Sequence, residues 1–167
     1  VECDTLLLSV GLIPENELTR MAGIIIDPVT NGAIVDEYRQ TSRPGIFACG
    51  NVLHVHDLVD FVSEEAAAAG RNAAAFIQGA EQVEGKSLPI KGIDGVRYTV
   101  PVSIRPAALN PEGTVTIRFR VGNVYTNKRI VALAGDRVIF RRSRNVLVPG
   151  EMETVNLKTN ELLACTE

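Results

Sequence analysis

Residues 41–51 read "TSRPGIFACGN". A short apolar stretch, Ile46 to Cys49, follows a Pro44-Gly45 turn and stops on Gly50-Asn51, just before the acidic, histidine-containing "HVHD" of residues 54–57. A strand that only fills a core has no need of such an ending. A strand that carries backbone and one polar side chain to a ligand does. Glycine lets another molecule approach the main chain, and asparagine offers both a donor and an acceptor.

Upstream, Cys3 to Val10 is a nearly continuous apolar run ending at Gly11, the pattern of a strand buried on both faces. Pro14, Glu15 and Asn16 form a turn, and "ENELTRMAG" (15–23) predicts one or two helical turns closed by Gly23. Two short β runs, Ile24–Ile26 and Ala33–Val35, flank Asn31-Gly32, a hairpin signal because both residues tolerate positive φ. Downstream, "DLVDFVSEEAAAAGRNAAAFIQG" (57–79) predicts the longest helix, capped by Asp60 or Ser63 at its start and by Gly79 at its end. Its Ala66–Ala69, Gly70 and Ala73–Ala75 leave little side chain on much of the surface. Glycine within a helix costs about 1 kcal/mol relative to alanine, which points to close approach of another backbone or a flat ligand. Helix propensity alone is the other account of the alanines.

Charge divides the chain. Residues 1–89 carry five Lys and Arg against thirteen Asp and Glu, a net of −8, and residues 90–167 carry twelve against seven, a net of +5. Between them, "QGAEQVEGKSLP" (78–89) has the polar, Gly- and Pro-containing texture of a linker. The second half alternates apolar and polar residues in five or six short runs, which predicts a small antiparallel sandwich or barrel. Its Arg118 and Arg120, and Arg142 and Arg144, recur at the spacing of one strand face, with Tyr98 and Tyr125 nearby in sequence. Opposite net charges predict salt-sensitive docking of the halves, with the Arg-rich strands facing Glu64, Glu65 or Glu81.

Composition narrows the function classes. With 46% hydrophobic and 22% charged residues the chain suits a globular protein with a core. No apolar run approaches the ~20 residues of a membrane span. The chain opens without Met on a strand-like run, which reads as a fragment. Cys3, Cys49 and Cys165 form no C-x-x-C and no zinc or iron–sulfur spacing, which suits a reducing cytoplasm, and Cys49 reads as a small buried residue. The arginine clusters raise nucleic acid, but the net charge of −3 and 5% aromatic content argue against it. His54 and His56 are the two histidines of the chain, and a catalytic zinc needs about three protein ligands. Asp57 and Asp60, the remaining candidates, are close neighbours in sequence, so no metal site is predicted; "HVHD" reads as a ligand-side or solvated loop.

The run "VECDTLLLSVGLIPENEL", followed by "GAIVDEYRQTSRPGIFACGNV" and an Ala/Gly-rich helix, resembles the C-terminal portion of FAD-dependent pyridine nucleotide-disulfide oxidoreductases. Asp4, Gly11, Pro14 and Asn16 fit that family's D-x-(apolar)-G-x-x-P-N segment, with Glu15 inserted before the asparagine. Thr41, Ile46, Phe47, Ala48 and Gly50 fit its closing FAD motif, T-x-x-x-x-[IV]-[FY]-A-x-G-D, with Asn51 in place of the aspartate. More loosely, the chain resembles FAD subunits allied with glycerol-phosphate, opine and sarcosine dehydrogenases. The resemblance implies an α/β fold: residues 1–80 as the end of a Rossmann-like FAD/NAD(P)-binding domain, 81–89 as a linker, and 90–167 as a small all-β sandwich-like domain. It implies FAD and NAD(P) as cofactors of the whole protein. Gly50 would lie against the flavin ribityl chain, Asn51 would hydrogen-bond it, and the backbone N–H groups of Val62 and Ser63 would face the pyrimidine edge. There is no G-x-G-x-x-G, so the chain supplies one wall of the site; no stoichiometric FAD is expected on it alone, and an exposed sheet edge would favour self-association. The resemblance leaves catalytic residues unassigned and implies a small-molecule substrate or a redox partner subunit. A non-catalytic β module that docks a partner is the other reading.

Overall fold

Local turn chemistry sets the first half. The computed structural model describes residues 1–9, 11–79 and 85–164. Asn31 adopts φ 60°, and Asp27 Oδ1 accepts from the backbone N–H groups of Val29 (2.6 Å) and Thr30 (3.1 Å). The chain reverses so that Ile26 bridges Ala33 in antiparallel fashion, as the hairpin signal predicts, through a single bridge on each side. Gly32 is forced: a Cβ there would lie 1.7 Å from the carbonyl oxygen of Leu53, which is fully buried. Helix α1 (Glu17–Met21) closes at Gly23 with φ +68°. Helix α2 (Val59–Ile77) is the longest and is followed by Gly79 at φ +78°.

Several expectations are revised. The N-cap of α2 is Leu58, with no side-chain cap; Asp60 sits in the first turn, where its negative charge complements the positive end of the helix dipole, and Ser63 Oγ donates back to the Val59 carbonyl at 3.1 Å. Gly70 itself is open, since a Cβ there would meet nothing within 4 Å, while Ala69 is buried and Ala68, Ala73 and Ala75 are half-buried. Residues 1–9 form no strand, and Leu6, Leu7 and Leu8 are exposed. A strand buried on both faces needs a neighbour on each side, and no described strand lies beside this run. Phe47, half-buried, bridges Gln40 antiparallel; Ile46–Cys49 is not a buried parallel strand. The parallel sheet of an α/β fold is therefore not assembled among the described residues, which hold helices and antiparallel pairings.

The second half builds its own core. It contains β1 (Leu88–Pro89), β2 (Val96–Val100), β3 (Ser103–Ile104), β4 (Thr114–Val121), β5 (Tyr125–Ala134), β6 (Arg137–Leu147), β7 (Glu153–Lys158) and α3 (Thr159–Leu163). They pair as β1-β3, β2-β4-β7 and a β5-β6 hairpin, all antiparallel. Alternation in β4 and β7 sends Val115, Ile117, Phe119, Val155 and Leu157 into one cluster with Leu147 and Leu162. Each such fully buried side chain contributes about 1.5–3 kcal/mol. The boundary expected at 80 and the first part of the 81–89 linker fall on residues 80–84, outside those described; β1 occupies the linker's end. No helix among the described residues is long and apolar enough to cross a membrane.

The halves interlock. Val100 of β2 belongs to the first-half core of Ile24, Ala33, Val35 and Leu53, and the Val102 N–H donates to the Val35 carbonyl at 3.1 Å. Arg105 pairs with Asp36 (2.5 Å) and Glu37 (3.4 Å), and Tyr38 donates its hydroxyl to the Ala108 carbonyl. Arg120 pairs with Asp57, whose other oxygen accepts from Met152 N–H at 2.7 Å. As the charge split predicts, Arg118 reaches Glu64 (3.4 Å) and Glu65 (3.5 Å). Glu81 lies outside the described residues. Arg142 and Arg144 turn away from the first half and clamp Glu153.

Candidate functional site

Residues 50–52 make a single 3-10 turn directly after the apolar stretch. Gly50 is buried at φ +72°, a conformation that disfavours any side chain, and a Cβ there would stand 3.2 Å from Val62 Cγ1. Asn51 Oδ1 accepts from the His56 N–H at 3.0 Å, bracing the loop that follows. Buried Asn16 donates from Nδ2 to the carbonyls of Asn31 and Val52, both at 2.8 Å. The asparagine of the first family-like motif thus holds the turn of the second.

Beneath this turn lies Glu65, whose side chain is fully buried. Its Oε2 accepts from the Gly50 N–H at 2.8 Å and lies 3.0 Å from His56 Nε2. Its Oε1 accepts from Arg39 Nε at 3.1 Å and lies 3.2 Å from His54 Nε2 and 3.5 Å from Arg118 Nη1. Burial disfavours the ionised carboxyl, but hydrogen bonds from His54 and His56 and the charges around it outweigh burial and hold Glu65 well below the usual carboxylate range. An ionised carboxylate only accepts, so both imidazoles present Nε2–H to it. Their Nδ1 atoms are then buried acceptors without a partner. Burial keeps His54 below the ordinary imidazole range, although Glu65 pulls it upward.

His54, His56 and Glu65 also have the spacing of metal ligands, their nearest donor atoms lying within 4.8 Å of one another. Two observations separate them from a metal centre. Two guanidinium groups share the carboxylate, supplying the positive charge a metal would bring. Neither Nδ1 makes the outer hydrogen bond that orients a metal-ligating histidine. The donor set fits a carboxylate hub.

Around the turn, the outer surface is apolar and exposed at Val52, Leu58 and Val59. Of the residues the sequence singles out, Gly50, Asn51 and Val62 lie together here. Val62 and Ser63 are the fourth and fifth residues of α2, one turn past the start, where backbone N–H groups join intrahelical bonds. Cys49 is half-buried, and burial pushes its thiol up. On the hub's other side, a cleft of about 340 Å³ opens between the halves, lined by Arg39, Glu64, Asn72, Thr116 and Arg118 among others. Sequence reasoning singles out Glu65 only as a docking acid and does not single out Arg39. The H-x-H pattern was the available signal, but its meaning depends on a glutamate nine residues on that the helix brings underneath.

Residues 1–79 match the pyridine nucleotide-disulphide oxidoreductase family. That segment is similar to this family over just under half of the chain. It is 37% identical over 59 residues to the nitric oxide reductase FlRd-NAD(+) reductase of Salmonella newport, 39% to that of Salmonella arizonae and 41% to that of Citrobacter koseri. In each case the match covers 35% of this chain and 15% of the relative, so the chain spans only a small part of the curated relatives' length. No solved structure matches the chain.

Proposed function

We propose that residues 1–80 form one wall of the flavin site in an NAD-linked, FAD-dependent oxidoreductase that passes electrons to a small-molecule or protein acceptor, with residues 90–167 as an appended β domain joined through 81–89. The observation that carries this reading is the buried Gly50 at φ +72°, opening a turn with an apolar exposed rim inside the family-matched segment. A Cβ-free backbone beside an apolar rim suits a flat, aromatic cofactor with a hydroxylated tail. Gly50 and Asn51 would hold the ribityl chain. Val62 would flank it, and Ser63 would support the start of α2, whose first amides favour negative charge at the pyrimidine edge. When bound, the flavin supplies the hydride and electron chemistry. The chain's residues bind it, orient it and exclude water from one face.

The Asn51→Ala protein is expected to hold flavin about two- to tenfold more weakly, the equivalent of one polar contact worth ~0.5–1.5 kcal/mol. Flavin retention through dilution and dialysis checks this, and unchanged occupancy would sink the assignment. The partner-docking reading draws on the outward face of the β5-β6 hairpin, where Arg129, Val131, Leu133 and Arg141 are exposed. A colourless whole protein without a flavin spectrum would favour it.

A further inference from the structure

Glu65 joins residues from three separated stretches, and one of them lies in the second half. Arg118 sits on β4, the middle strand of its sheet, paired with Val100 on one side and Thr154 on the other. Its side chain is 7% exposed, lies over the Phe61 ring at 5.8 Å and reaches Glu65 Oε1 and Glu64 Oε2. It therefore comes from the middle strand of a sheet, and its guanidinium is held against one face of α2's first two turns by Phe61, Glu64 and Glu65. Both oxygens of Glu65 are engaged at once: Arg39, His54 and Arg118 draw on Oε1, while Gly50 N–H and His56 draw on Oε2. A carboxylate is planar and rigid, so a pull on one oxygen sets the position of the other.

We propose that Arg118 is a positioning residue for the Gly50 amide, acting through Glu65, so that the β half controls the geometry of the flavin-facing turn. The proposal rests on the reading of Gly50–Asn51 as the flavin wall and adds its regulation. Anything that shifts β4, including a partner bound to the second half, is transmitted along Arg118, Glu65 and Gly50 to the cofactor. The route is short and made of buried groups, so salt screens it weakly.

The test uses the whole flavoprotein, with selective glycine ¹⁵N labelling to follow the Gly50 amide, and flavin binding followed by fluorescence. Arg118→Met should move the Gly50 amide resonance and weaken flavin binding about three- to tenfold, in line with one weakened buried hydrogen bond. Arg118→Lys should recover most of both changes. Arg144→Met, which removes contacts to Glu153 alone, should change neither. A Gly50 resonance that stays in place in folded Arg118→Met overturns the proposal. If Asn51→Ala weakens flavin binding and Arg118→Met does not, this proposal fails while the flavin wall stands. If neither variant alters flavin binding, the flavin wall itself fails, and the proposal falls with it. Should Arg118→Met not fold, Arg118→Gln, which keeps an N–H donor without the charge, is read against the same outcomes.

Discussion

Glu65 and Glu153 are both glutamates clamped by two arginines, yet they do different things. Glu153 sits on β7, and its arginines come from the adjacent hairpin: Arg142 and Arg144 meet Oε2 at 2.8 Å, with 37% and 41% of their side chains exposed. Its ligands are partly in water and belong to its own half. Glu65 is fully buried, takes its arginines from both halves and adds two imidazoles and a backbone amide. One clamp trims a β surface; the other ties loop, helix and second half into a single contact. Removing a carboxylate costs most where the cations left behind cannot reach solvent.

The largest expected effect is therefore at Glu65. Glu65→Ala should destabilise the protein by about 3–5 kcal/mol in urea unfolding, because Arg39 and Arg118 are left as buried charges. Glu153→Gln should cost only about 1–2 kcal/mol, since its arginines can turn toward water. Equal losses at the two positions would remove the distinction drawn here.

Acid should separate the two clamps next. His54 titrates below its ordinary value of 6.5 in the folded protein, so the unfolded chain takes up its proton first as pH falls. The stability His54 contributes is present above pH 6.5 and is lost as pH drops below that value. Glu65, held below its ordinary 4.5, contributes stability above that pH, which is lost as pH falls beneath it. Unfolding free energy should thus decline in two stages, one beginning near pH 6.5 and a steeper one below pH 4.5. His54→Gln should abolish the first stage, whereas Glu153→Gln should keep both. A wild-type profile flat from pH 7 to pH 5 would contradict this account.

Salt should have the smallest effect. Raising NaCl from ~0.05 to ~1 M screens pairs with an exposed partner, such as Arg118 with Glu64, each worth ~0–1 kcal/mol, but not the buried Glu65 contacts or the shared Val100 core. The radius of gyration measured by small-angle scattering should therefore stay constant with ionic strength. Expansion at high salt would mean that exposed charge, not burial, holds the halves together.

What could be read from the sequence was local. Asn31-Gly32 announces its turn because both residues tolerate positive φ, and α2 announces itself through alanine and Gly79. The β strands of the second half follow from strict alternation. Residues 3–10 mislead because an apolar run shows only that a segment could be buried, not what stands beside it. The start of α2 misleads because Asp60 and Ser63 are plausible caps by type, while the helix begins after Leu58 with no side-chain cap. The hub was illegible for a related reason. Arg39, His54 and Glu65 meet through a loop reversal and a helix, and Arg118 arrives from a strand 53 residues beyond Glu65. Charge counting found the Arg118 contact only because opposite net charges make some such pairing favourable.

The clamp shared between halves constrains how such chains can be recombined. A crossover placed in residues 80–89 looks harmless in sequence, since it cuts a polar stretch and, among the described residues there, only β1. Yet it would separate Glu65 and Asp57 from Arg118 and Arg120, and Asp36 from Arg105. A hybrid that inherits a β half with different side chains at those three positions keeps both cores and loses the joint. Halves of this molecule are therefore exchangeable only as matched sets, and the three arginines are the residues to transplant with them.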